Sequence, residues 1–265
     1  MKMLIPNAYM QETNYSAMRI NNIATVKNAK TYLEIGVQRG NTFFNVNVQN
    51  KFAVDPNFLF NINQYSDNPC LHFFAMPSDD FFKLMFSKKN NLLKFDVIFI
   101  DGLHTYEQTL TDFKNSLSFA HDDTVWIIDD TVPTNPYSAI SDVNLTYLFY
   151  KKIGYKGKSW HGDVFKIVFA IHDLFPEFSY CTLLNKSQTI VWKTKKNKDK
   201  RKIFQSAKEI EMCTYFNIFN YAHKFNAIPE HFLLNVVGND IELEYDHDVW
   251  EEFIYKLPQK SFENS

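Results

Sequence analysis

A chain of 265 residues, 45% hydrophobic and 17% aromatic, has enough apolar material for one large α/β domain or for a domain with an appendage. Its net charge of −2 supplies no overall attraction to nucleic acid or to an anionic membrane, so neither is an expected partner. Cys70, Cys181 and Cys213 are scattered and lack CxxC spacing, which argues against a disulfide framework or a cysteine zinc site; no apolar run approaches the ~20 residues of a membrane span, and a cytoplasmic protein is expected.

In chain order, a helix is expected over about residues 11 to 29, then a strand from Thr31 to Gly36 and a helix over 41 to 48. Strands follow at Lys51 to Val54 and Leu71 to Phe74, then a helix over 78 to 90, a strand at Phe95 to Ile100, a helix over 105 to 119 and a strand at Thr124 to Ile128. Several strands are nearly continuous apolar runs, as strands covered on both faces are, so the alternation predicts a doubly wound, mostly parallel sheet. The stretch from Pro133 to Trp160, rich in Tyr, Asn and Lys, has the length of a lid. A helix from Asp163 to Leu174 precedes FSYCTLL and QTIVWKT, two strands separated by Asn185, Lys186 and Ser187, which read as an antiparallel hairpin.

Residues 193 to 202, KTKKNKDKRK, read as a solvated linker. Beyond them Ile210, Cys213, Phe216, Tyr221 and Phe225 suggest one amphipathic helix, Pro229 and Gly238 bracket a second, and Val249 to Leu257 forms a third. The expected organisation is therefore a domain over 1–195 and a helical extension over 196–265, whose apolar stripe must pack on the domain or on a second subunit, which allows a homo-oligomer.

The chain has only seven glycines, and two of them lie four apart in YLEIGVQRGNT, residues 32 to 42. Glycine kept so selectively marks positive φ or close backbone approach, here where a strand turns into a loop. The spacing lacks the G-x-G-x-x-G of dinucleotide enzymes. Glu34 is suited to a cationic group of a ligand, and Asp55, 21 residues on at the end of the next strand, to ribose hydroxyls. Ser78 and Asp79 at the third strand's edge suit an adenine ring. Taken singly, the alternatives for these residues are a plain turn, a turn acid and a helix cap.

FDVIFIDGLHTYE (95–107) and VWIIDDT (125–131) deliver Asp101, Asp129 and Asp130 at the carboxyl ends of two strands. Adjacent strands lie about 4.8 Å apart, so these carboxylates can converge and repel, and a hard divalent cation such as Mg²⁺ relieves that. His104 is a candidate general base, with Asp101 able to share that role, and His161 in WHGDVFK is a candidate substrate-loop residue.

The order of elements over roughly residues 15 to 195 resembles class I S-adenosylmethionine-dependent methyltransferases, whose sheet of seven strands ends in a reversed seventh strand. The resemblance implies that Glu34, Gly36, Gly40, Asp55, Ser78, Asp79 and Asp101 border the cofactor. D-G-x-H-x-Y followed by an Asp-Asp strand end is similar to the macrocin-type metal-dependent O-methyltransferases, implying Asp101, Asp129 and Asp130 as Mg²⁺ ligands and a sugar or other polar hydroxyl as acceptor. Two departures from that pattern are Asp122-Asp123-Thr124 before the fifth strand and Met76-Pro77 after the third. The alternatives are a non-catalytic binding protein of this fold and a nicotinamide-dependent oxidoreductase.

Overall fold

The structure is a computed structural model that describes residues 14–87, 93–183, 187–195, 202–241, 248 and 251. Helix α1 (Tyr15–Lys27) is capped by Asn14, whose side chain accepts from Ala17 N, and ends at Asn28 in the left-handed region. Strands β1 (Thr31–Ile35), β2 (Asn50–Val54), β3 (Leu71–Phe74), β4 (Phe95–Ile100) and β5 (Ala120–Ile128) pair in parallel. Helices α2 (Ser78–Ser87) and α3 (Tyr106–Ser116) connect β3 to β4 and β4 to β5. After α4 (Val143–Ile153) and α5 (Lys166–Leu174), β6 (Phe178–Leu183) and β7 (Thr189–Lys193) form the expected antiparallel pair, and β7 inserts antiparallel to β5.

The sheet has eight strands in the order β3-β2-β1-β4-β5-β7-β6-β8, one more than expected. The extra strand, β8 (Ala227–Ile228), comes from the C-terminal segment and runs parallel to β6. Side chains alternate across the sheet: Leu33, Ile98, Ile100, Trp126 and Ile128 meet the face covered by α2, α3 and α5, whereas Tyr32, Val97, Phe99, Val125 and Ile127 meet the face covered by α1.

Two expectations about helices change. Residues 41 to 48 hold only a 3₁₀ turn at Phe43–Asn45. The Lys51 amine donates to the carbonyls of Phe43 and Val46, and Phe43, Val46 and Val48 are buried in the core without a helix. The 133–160 stretch contains α4, and Asn135 ties Ser138 and Tyr150 within it. The helix expected around residues 210 to 225 is three short pieces: α6 (Ala207–Glu211), α7 (Asn217–Asn220) and a 3₁₀ turn at Ala222–Phe225. Asn217 interrupts it by accepting from the amide and hydroxyl of Thr214, and Phe216 is left 64% exposed.

The last described helix, α8 (Leu233–Asn239), contains Gly238 and ends at Asp240 in the left-handed region. It packs on α1, while α6 packs on α5, so the C-terminal segment covers both faces of the sheet. All but Glu251 of the helix expected at Val249 to Leu257, most of the 193–202 basic run, and Asn185 and Lys186 lie outside the described residues. Among the described residues no helix is long and apolar enough to cross a membrane.

Candidate active site

The sheet ladder continues past the strand ends and sets the site residues in a row. Asp55 N donates to Phe74 O, Gly36 N to Val54 O, Asp101 N to Ile35 O and Asp129 N to Ile100 O, at 2.9–3.2 Å. Each residue therefore leaves its strand level with its neighbour, at the carboxyl edge where open α/β sheets bind ligands. A cavity of about 670 Å³ opens there, lined by Gly36, Asp55, Ser78 and Asp79 at one side and by Asp101 and His104 at the other.

Gly36 has φ +88°, and a Cβ there would stand 1.9 Å from the Asp101 carbonyl oxygen. Its need for glycine is a crossing of two backbones beneath the cavity. Gly40, with φ +76°, is outside the cavity lining, and its missing Cβ makes room for the rings of Phe44 and Phe60 rather than for a ligand. Glu34 also lies outside the lining: it is buried and accepts from the Tyr32 hydroxyl at 2.6 Å. Burial pushes its carboxyl up to about 8, and it faces Tyr32 rather than the cavity, unlike the ligand-facing carboxylate expected.

Asp55 stands just past β2, in the cavity lining. Its Oδ2 accepts from Gln38 N and its Oδ1 from Asn57 N, both at 2.7 Å, which orients the carboxylate at the cavity wall. At the far wall Gln108 Nε2 donates to Ser78 Oγ, Asp79 Oδ1 and Asp112 Oδ1 at 3.1–3.3 Å. Gln108 and Asp112 were not found from the sequence, although their i, i+4 spacing on α3 places them on one face. Asp112 is buried, and desolvation pushes its carboxyl up to about 6 against the hydrogen bonds from Ser78 and Gln108.

At the other end the acids do not converge as expected. The groups that come within 4.8 Å of one another are Asp101, His104 and Asp130. Asp129 faces away: Oδ2 accepts from Gln188 Nε2 at 3.0 Å and Oδ1 from Asp130 N at 2.9 Å. Two adjacent residues on a strand end cannot both aim at one point, and Asp130 reaches it by adopting φ 60°. Burial, then Asp129, Asp130 and Glu34, raise the Asp101 carboxyl well above the usual carboxylate range.

His104 sits between the acids. Nδ1 is 2.5 Å from Asp130 Oδ2, and Nε2 is 3.8 Å from Asp101 Oδ1. Burial alone would lower its pKa; Asp130 outweighs that and, with the Trp160 backbone and Asp129, raises it. Trp160 stacks on the imidazole with centroids 5.0 Å apart and planes 9° apart. Gly162, at φ 60°, lies so close that a Cβ would be 1.6 Å from His104 O, and Asp163 accepts from Tyr106 N at 2.8 Å. His161 belongs to the same segment, its Nε2 3.8 Å from Asp130 Oδ1. The sequence had pointed to His161 alone; Gly162, another rationed glycine beside it, was the available signal for the whole segment.

The carboxylates of Asp101 and Asp130 offer oxygen ligands that fit a hard divalent cation such as Mg²⁺, which would offset the repulsion that raises Asp101; the imidazole nitrogen beside them would suit a transition metal instead.

Residues 33–131 match the family model of a methyltransferase domain. No curated protein sequence matches the chain. Among solved structures, an O-methyltransferase from Bacillus cereus in complex with SAH is 17% identical, with a TM-score of 0.47, covering 71% of this chain and 84% of that one. An SAH-bound methyltransferase from Podospora anserina is 13% identical, with a TM-score of 0.48, covering 72% and 83%. An O-methyltransferase of tomaymycin synthesis from Streptomyces achromogenes, in complex with SAM, is 12% identical with a TM-score of 0.41, covering 68% and 79%. The domain match runs from Leu33 to Thr131, across β1 to β5 and both clusters of site residues.

Proposed function

We propose that this protein transfers a methyl group from S-adenosylmethionine to a hydroxyl oxygen of a sugar or another polar small molecule, assisted by a divalent cation. The observation that carries the reading is one continuous cavity, which runs from the Asp55 carboxylate to Asp101 and His104. In this reading the Gly36–Gln38 turn takes the methionine part of the cofactor, Asp55 the ribose, and the Ser78, Asp79 and Gln108 wall the adenine. Bound there, S-adenosylmethionine supplies an electrophilic methyl group on a sulfonium, and the walls contribute by aligning it with the acceptor oxygen.

His104 accepts the acceptor's proton at Nε2, because Nδ1 is engaged with Asp130, which orients the ring and stabilises its charged form. Trp160 covers the ring and keeps water from competing for that proton. Asp101 and Asp130 would hold the cation, which when bound supplies Lewis acidity at the acceptor oxygen. A second reading needs no cation: the 2.5 Å His104–Asp130 contact is itself a base and its orienting acid.

Calorimetric titration with S-adenosylhomocysteine, followed by methyl transfer to a panel of glycosides and polyols with Mg²⁺ or with excess chelator, tests both. Binding, transfer and loss of transfer in chelator are expected. Full transfer in chelator selects the second reading, and failure to bind S-adenosylhomocysteine overturns both.

A further inference from the structure

Arg19 of α1 is 1% exposed and lines no part of the cavity, yet it joins the C-terminal segment to the catalytic edge. Its Nε donates to Glu230 Oε1 at 2.7 Å, and its Nη1 donates to Gln188 Oε1. Gln188, 2% exposed just before β7, turns its amide nitrogen the other way, donating to Ser16 Oγ at 2.8 Å and Asp129 Oδ2 at 3.0 Å. Arg19 has no acceptor, so the Gln188 amide must turn its oxygen to the guanidinium and its NH₂ to Asp129; the flipped orientation sets NH₂ against guanidinium. With Gln188 on Oδ2 and Asp130 N on Oδ1, the Asp129 carboxylate is held out of the site, and Asp130 is the residue that faces His104.

The arrangement is poor as simple structural support. Arg19 Nη2 is buried with no hydrogen-bond partner among the described residues, and the one carboxylate it pairs with, Glu230, has a side chain 36% exposed. A buried guanidinium left partly unsatisfied costs stability that an apolar side chain of similar volume would not.

We propose that Arg19 is a positioning residue: by fixing the Gln188 amide it locks Asp129 away from the site and sets Asp130 toward His104, and through Glu230 it makes that arrangement depend on the C-terminal segment. The catalytic consequence rests on the function proposed above; the coupling between Glu230 and Asp129 does not.

Two experiments on the full chain separate these. In the first, Gln188→Met, Arg19→Ala and Glu230→Gln are assayed for kcat, for KM and for S-adenosylhomocysteine affinity. Gln188→Met and Arg19→Ala are expected to lose about 10–100-fold in kcat while S-adenosylhomocysteine affinity stays within about twofold, and millimolar guanidinium should restore part of the Arg19→Ala rate. Lower melting temperature with unchanged kcat in the folded Gln188→Met and Glu230→Gln proteins would reduce Arg19 to a structural role and overturn the proposal. In the second, Glu230→Gln and Asp129→Asn are combined in a thermal double-mutant cycle, which needs no methyl transfer. The two sites share no direct bond, so melting shifts that depart from additivity by about 2 °C or more support the relay, and additive shifts overturn it even if the protein proves not to methylate.

Discussion

The two ends of the cavity hold carboxylates of opposite character. Asp55 arrives with both oxygens already accepting backbone N–H groups, from Gln38 and Asn57, so its charge is compensated by the fold that presents it. Asp101 and Asp130 have their site-facing oxygens turned toward each other and toward His104, with Asp129 and Glu34 adding to the crowding. One end is a finished shelf, suited to hold something neutral and polar. The other is charged and under-compensated, and a proton or a cation must complete it. Under the proposed function, binding and chemistry divide along the sheet edge, β2 and β1 serving the first and β4 and β5 the second.

Breaking the floor that both ends share should have the largest effect. Gly36→Val places a branched side chain at φ +88° and 1.9 Å from a backbone oxygen, so loss of the fold or destabilisation by more than about 4 kcal/mol is expected in chemical denaturation, together with loss of S-adenosylhomocysteine binding. A stable Gly36→Val protein that binds would mean that the two strand ends can separate. Next, His104→Gln acts on the chemical end alone. Turnover should fall on the order of 10²-fold or more, with S-adenosylhomocysteine affinity in calorimetry nearly unchanged. Equal losses in both would erase the division between the two ends.

The binding end can be sharpened through pH. Asp112 titrates near 6 in the fold, above the ordinary carboxylate value of 3.8, so the native state holds this proton more tightly than the unfolded chain. Its burial therefore costs nothing below about pH 4, costs progressively more as pH rises to about 6, and costs a constant amount above that. Asp112→Asn keeps the acceptor for Gln108 and removes the charge. Urea denaturation should show it more stable than wild type by about 2–3 kcal/mol at pH 7.5 and equal to it near pH 4. The smallest effect is expected for Asp122→Ala, which removes the exposed ion pair with Lys193 at the opposite end of β5; melting temperature and cofactor affinity should both stay put.

Much of this was legible along the chain. Continuous apolar runs marked buried parallel strands, the two runs before and after Asn185 to Ser187 marked the reversed pair, and glycine rationing marked Gly36. These are local signals, because burial on both faces and positive φ each restrict the residue types at single positions. Where the sequence reading missed a helix, the cause was a side chain bonding back to nearby backbone, which periodicity does not register. The amine of Lys51 and a cluster of rings took the place of a helix after Gly40, and an Asn217 side chain broke one after Ile210.

Sequence alone determined the α/β class, the strand ends that carry Asp55, Asp101, Asp129 and Asp130, and the presence of His104 beside them, since alternation and apolar runs fix where strands stop. Which of two adjacent aspartates enters the site was decided only in three dimensions. Asp129 and Asp130 are chemically identical in the sequence, and it is Gln188, just before β7 and held by Arg19 from a helix on one face of the sheet, that occupies one carboxylate and leaves the other to His104.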